Sequence, residues 1–432
     1  MIQRAAFAVL LCMAAAAFLM RPVPRRRVVQ LPRGILYLKS EMAVEGGTEL
    51  HGAPGGSVLR FAPGFAGRAL IVVKGPDVVL RDFSIEGNRG SDARTGLPPY
   101  DTPFVRFTHG NGILAAAVSR LRIENVRFRE VAGFAVLISG VRDVAIDRVQ
   151  VRDSGSGNAL GRNNATGGIL LEEGTRDFRV TRCEFANVRG NGIWTHSLYT
   201  SPRNANGLIA QNRFAVIGRD AIQVGHATDV RVAENAGRAI GFPIDAVDVE
   251  GRAVPVAIDT AGNVERCSYT GNHFEEIDGK CIDLDGFHDG EIRANVCVNR
   301  APPGQYRFGN YGIVMNNSNP DMQSCNIRVV DNLIDGPLFG GIFVIGTGHR
   351  IAGNRLVNLN TAHCGCSYSA SDPDILSSGI YLGRGAERPA PARGNLIEDN
   401  EIQGFQMKTR CIVNAPGISS EWNTVRGNRC EQ

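Results

Sequence analysis

Lysine, aromatic residues and long apolar runs are all scarce in this sequence, and each shortage removes a class of explanation. Lysine occurs only as Lys39, Lys74, Lys280 and Lys408, and the net formal charge is a small +4. No basic run with interleaved aromatics appears beyond the N-terminus, so a nucleic-acid partner is not expected. No C-x-x-C pair occurs, which removes zinc-site spacing. The single long apolar run, Ala5 to Met20, is short for a bilayer span and follows Arg4, the pattern of an export signal. Arg21, Arg25, Arg26 and Arg27 follow that run, where positive charge opposes translocation, so an uncleaved membrane anchor is the alternative. Leu10-Leu11 before Cys12 lacks the small residues of a lipid-attachment site. Residues 1–28 are therefore assigned to a signal peptide or anchor and 29–432 to one domain. A secreted or periplasmic location is expected, with membrane contact only through the first segment if it is retained.

Glycine is abundant at 52 residues, and the apolar 43% is spread evenly, enough for a long continuous core. Nine cysteines lie beyond the apolar run, at 183, 267, 281, 297, 325, 364, 366, 411 and 430. Those at core positions read as buried free thiols. Cys364 and Cys366 fall in a loop and are candidates for disulfides elsewhere in an oxidising compartment.

One phrase recurs from about residue 120: an Asn, a nearby apolar residue, a glycine-rich turn and a short strand of the type Gly-Ile-x-apolar-x. The Asn series is Asn125, Asn212, Asn235, Asn272, Asn295, Asn332, Asn354, Asn400 and Asn428. Its spacing of 23 residues from 212 to 235 and 22 from 332 to 354 is a solenoid period. The strand phrases include Asn191-Gly-Ile-Trp-Thr-His, Asp220-Ala-Ile-Gln-Val-Gly, Asp245-Ala-Val-Asp-Val-Glu, Lys280-Cys-Ile-Asp-Leu-Asp and Tyr311-Gly-Ile-Val-Met-Asn. Each alternates, placing one face inward and one outward, and each is too short and glycine-bounded for a helix. Strands that recur once per coil bury their apolar side only against neighbouring coils, so like residues stack: an Asn ladder at a turn and an Ile ladder in the core. About ten to twelve coils are expected, with loops at 89–110, 153–166, 197–208, 251–266, 300–310 and 361–377.

This repeat resembles the right-handed parallel β-helix of the pectin lyase-like superfamily over roughly residues 30 to 430, and Glu45-Gly-Gly-Thr-Glu-Leu-His-Gly looks like the segment that opens many such folds. The resemblance implies an all-β solenoid. It does not fix an activity, because the fold hosts many.

Outward positions carry the chemical signal. Just after the core Ile they read Leu114, Leu137, Leu170, Trp194, Gln223, Asp248, Asp283, Val314, Phe343 and Tyr381, and two further on Ala116, Ser139, Glu172, His196, Gly225, Glu250, Asp285, Asn316, Ile345 and Gly383. Charge gathers in the middle, where Asp220, Asp245 and Lys280 open the strands and His288 and Asp289 follow them. At a coil spacing of about 4.8 Å, such carboxylates form one patch, which either binds a cation or holds protons. Asp220, Asp245, Glu250 and Asp283 are candidate ligands for Ca²⁺.

A polysaccharide substrate is the expectation, handled by a monomer. In a lyase reading, Lys280 removes the proton beside a uronate carboxylate that Ca²⁺ neutralises, and Lys280-Cys-Ile-Asp-Leu-Asp is loosely similar to the Lys and Asp cage of some pectate lyases. In a hydrolase reading, Asp248 with Asp283, or Asp283 with Asp285, supplies the acid and base. The Asn-Thr-Asp, Asp-Asp and Gly-His-Gly motifs of polygalacturonases are missing. Trp194, His196, Gln223 and His288 are candidate substrate contacts. An epimerase, or a non-catalytic glycan-binding or structural β-helix, is the alternative.

Overall fold

The computed structural model describes residues 26–90, 96, 98–157, 166–243, 254–309, 311–319, 322–385 and 388–432. Its strands pair in parallel, coil upon coil. Asn191–His196 lies between Gly167–Glu172 and Ile222–Gly225, with Ile193 registered on Ile169 and on Ile222. The same column continues through Ile258, Ile282, Ile313 and Ile342, all at most 2% exposed. Each such side chain contributes about 1.5–3 kcal/mol by leaving water, and none could do so in an isolated coil. Among the described residues, one in-order ladder of fourteen strands runs from Arg27–Gln30 to Thr424–Arg426, more than the ten to twelve coils expected.

The Asn ladder forms from Asn212 onward. Each side-chain amide donates to the carboxamide oxygen of the next Asn, at 2.9 Å from Asn212 to Asn235, 2.9 Å from Asn235 to Asn272 and 2.8 Å from Asn272 to Asn295. That oxygen also accepts the backbone N–H of the preceding Asn, so the ladder satisfies turn donors that have no strand partner. Cys183 holds the equivalent place one coil earlier, where its N–H donates to Asn212. Asn125 is not a member: it sits at φ 51° in an exposed turn and donates to Asp82.

The cysteines depart from expectation. Cys281 pairs with Cys297, Cys411 with Cys430, and Cys364 with Cys366. Cys183 and Cys267 remain as buried free thiols and Cys325 as a half-buried one. Core positions on strands from one coil face each other across the narrow interior, which is why residues read singly as apolar fillers can bond.

One coil was misplaced by the repeat. The strand between Ile222–Gly225 and Lys280–Asp285 is Val256–Ala261, paired with both. The segment expected to form it, residues 245–250, lies outside the described residues, and the expected loop at 251–266 contains the strand instead. The strand Arg27–Gln30 begins two residues before the boundary expected at residue 29.

Candidate functional site

The outward columns expected from the sequence exist, with one coil replaced. Gln223 registers with Asp259, Ile258 with Ile282 so that Asp259 adjoins Asp283, and Asp283 and Asp285 register with Val314 and Asn316. Asp259 therefore stands where Asp248 was expected, and Ala261 where Glu250 was. Asp245, Asp248 and Glu250 all lie outside the described residues.

Asp259 was missed although its phrase, Ala257-Ile-Asp-Thr, matches Cys281-Ile-Asp-Leu. Asp245-Ala-Val-Asp-Val-Glu competed for the same coil and looked more acidic.

Each carboxylate has its own surroundings. Asp283 is buried and ion-paired with the ammonium of Lys280, while its Oδ1 has no hydrogen-bond partner. Asp259 accepts 2.8 Å from Gln223 Nε2, and Gln223 Oε1 in turn accepts 2.6 Å from Asn191. Burial, then the neighbouring Asp220 and Asp283, push the Asp259 carboxyl well above the usual carboxylate range. Asp285 accepts 2.8 Å from Ser318 N and is raised by burial, which Ser318 partly offsets.

Asp220 belongs to a turn: its Oδ1 accepts 2.9 Å from Val256 N, its own N–H donates to Asn191, and burial raises it to about 6. The Lys280 ammonium is disfavoured by burial but held, on balance, above its ordinary pKa by Asp283 and then Asp259. A lysine so paired does not supply a neutral amine.

Of the four expected Ca²⁺ ligands, Asp245 and Glu250 lie outside the described residues. Asp220, Asp259, Asp283 and Asp285 each face an N–H donor, and Asp283 Oδ1 is buried without a hydrogen-bond partner. Among the described residues, the groups whose atoms converge within 4.8 Å lie elsewhere: Glu172, Glu173 and His196, and His288, Asp289 and Cys325.

Other expected site residues are drawn into packing. Trp194 meets Phe104 edge-on at 5.0 Å and Phe134 at 6.4 Å, under the segment that carries the one-turn helix Phe104–Phe107. Glu172, fully buried, anchors that segment by accepting from Phe104 N at 3.0 Å and Val105 N at 2.7 Å, and burial raises it to about 7. His196 lies beside Trp194 and Phe104, and burial lowers its pKa to about 4. His288 is not brought to the aspartates: it lies in the other sheet, bonded to Asp289 at 2.8 Å and Asn263 at 2.9 Å. Tyr381 and Phe343 are covered, at 1% and 9% exposed.

Loops wall the acidic column. Tyr199, in the loop after Asn191–His196, meets Asn319 in the loop after Tyr311–Asn316, closing over one edge. Residues 300–309 are tied down on the other edge, where Arg307 N and Phe308 N donate to Asp278 at 3.1 and 2.9 Å.

The family model described as "Right handed beta helix region" matches residues 69–237. No curated protein matches the sequence. Among solved structures, the chain is similar to PfbA, a surface adhesin of Streptococcus pneumoniae, with 14% identity, 77% of this chain and 82% of that one covered, and a TM-score of 0.54. It is also similar to DFA-IIIase from Arthrobacter chlorophenolicus in complex with DFA-III (13%; 93% and 88%; 0.52). A third is the catalytic domain of a GH87 alpha-1,3-glucanase in complex with tetrasaccharides (12%; 93% and 64%; 0.55). These identities carry the architecture alone, and with the parallel register and the family match over residues 69–237 they show the fold to be a right-handed parallel β-helix.

Proposed function

We propose that the chain is a carbohydrate-active enzyme that hydrolyses a glycosidic bond on the outward face of the Val256–Ala261 and Lys280–Asp285 strands. The observation that carries this reading is the contrast between two stacked carboxyls. Asp259 lies half-buried beside other acids and is pushed toward its protonated form, while Asp283 is ion-paired with Lys280. A carboxyl pushed toward its protonated form beside one paired with a cation is what a glycosidase needs: one protonates the leaving oxygen, the other acts as nucleophile or activates water.

Asp259 is the proton donor in this reading and Asp283 its ionised partner, with Lys280 and Gln223 as positioning residues. A coil spacing of about 4.8 Å puts Asp259 and Asp283 near the ~5 Å separation of retaining enzymes. Asp283 and Asp285, about 6.6 Å apart along one strand, fall in the inverting range. The anomer first released, read by NMR, tells which pair works.

The hydrolase reading takes precedence over the uronate lyase because Lys280 is held as an ammonium and no step needs Ca²⁺. The glucanase and DFA-IIIase structures, both solved with carbohydrate, support an activity on sugars for this fold. The three disulfides suit an exported protein, and among the described residues no helix is long and apolar enough to cross a membrane. The test is release of reducing ends from a panel of neutral and acidic polysaccharides, with ultraviolet absorbance followed for unsaturated products. Reducing ends that vanish in Asp259→Asn, without absorbance and in the presence of chelator, support hydrolysis. Rising absorbance that needs Ca²⁺ restores the lyase, and binding without turnover favours a glycan-binding protein.

A further inference from the structure

One coil beyond the acidic column the face sinks into a pocket of about 240 Å³. Its floor is Val314 and Phe343, which follow Asp283 in the same column, and Lys280 borders it. Tyr311 and Tyr368 also line it, and Asn316 offers its Nδ2, which has no partner among the described residues; its Oδ1 is taken by Asn317 N. The segment 361–377 closes the far side: it crosses the sheet so that Asp372 accepts 2.7 Å from Arg384 N, and it leaves Tyr381 in the next coil 1% exposed.

Three features point the same way. The volume lies below the roughly 300 Å³ at which drug-sized ligands begin to fit, a size suited to one pyranose ring. Aromatic walls with a few polar groups match a sugar, whose C–H faces are apolar and whose rim is hydroxylated. The covered coil behind it leaves no path for a chain to continue. Charge then narrows the ring: the bordering cation, Lys280, is already paired with Asp283, and Asp372 adds a further acid, so a uronate carboxylate would meet like charges without a free partner.

We propose that this pocket is the subsite for a single uncharged sugar ring at the end of a chain, so that cleavage at Asp259 and Asp283 removes one unit at a time. This rests on the hydrolase reading above. In the reaction, the bond from the anomeric carbon to the bridging oxygen breaks as the proton from Asp259 goes to the departing oxygen, and water adds to that carbon as its own proton returns to Asp259.

Two measurements on the full chain test it. The first is the early product profile on neutral polysaccharide that supports turnover: monosaccharide from the outset is expected, whereas a ladder of oligosaccharides overturns the chain-end assignment while leaving hydrolysis intact. The second is saturation-transfer NMR on Asp259→Asn protein with methyl hexosides and methyl hexuronosides. Binding of a neutral hexoside, weakened roughly five- to tenfold by Tyr368→Ala, is expected from the loss of one stacking wall. Tyr368 is 43% exposed, so that change leaves the core intact. Preference for the uronoside overturns the uncharged class, and binding indifferent to Tyr368→Ala overturns the pocket. Absence of any turnover would instead remove the hydrolase reading itself.

Discussion

Asp259 and Asp283 lie in adjacent coils at the same point of the outward column, because Ile258 and Ile282 occupy one register position in the core. The inward isoleucines thus fix which acids meet outside.

Replacing Asp259 or Asp283 by Asn should lower turnover at least about a hundredfold, in the range of lost general acid–base catalysis. Melting temperature should stay close to that of the parent for Asp259→Asn, and fall for Asp283→Asn, which leaves the Lys280 ammonium without its partner. Steady-state kinetics alongside thermal melts would check it, and a variant that keeps full turnover would remove that residue from the mechanism.

Activity should fall on the alkaline side as Asp259 loses its proton. Because the charge of Asp220 helps to raise Asp259, Asp220→Asn should move that alkaline limb to lower pH. The Asn can still accept from Val256 N. A pH profile of kcat/KM for both proteins would show the shift, and superimposable limbs would exclude Asp259 as the titrating acid.

Glu172 gives a separate pH signature, in stability. Burial raises it from an ordinary 4.5 to about 7, so the folded state binds its proton more tightly than the unfolded state does. Its contribution is complete below about 4.5 and is lost as pH rises through 7, by up to about 3 kcal/mol. The difference in denaturation free energy between the parent and Glu172→Gln should vary with pH across that window. A constant difference would count against the assignment.

The Asn ladder should be unequal along its length. Asn272 accepts from the N–H and the amide of Asn235 and donates to Asn295 and Val232, all buried, so Asn272→Ala should cost about 3 kcal/mol. Asn428, half-buried in the last coil, should cost under about 1 kcal/mol because water replaces its bonds. Denaturant melts of the two variants would measure the contrast.

Removing the bond between Cys281 and Cys297 in a double alanine variant should cost about 3 kcal/mol, the loop-closure value for a sequence separation of 16. Since Cys281 adjoins Lys280, kcat should fall as well. Equal melting curves would show that the pair contributes nothing.

The sequence by itself determined the solenoid, because a 22- or 23-residue period with alternating short strands can bury its apolar face only by stacking. It also determined the outward columns and most of the Asn ladder, since stacked coils repeat whatever the period repeats. It could not decide which of two similar phrases, at 245–250 or 256–261, enters the sheet: both alternate, and only the pairing of Val256–Ala261 with both neighbouring strands settles it. Nor could it separate the Lys280–Asp283 ion pair from Asp259, which Gln223 holds instead, or foresee that Phe104, some ninety residues earlier, would pack on Trp194. Those outcomes depend on burial and on contacts between distant loops, which a local pattern does not contain.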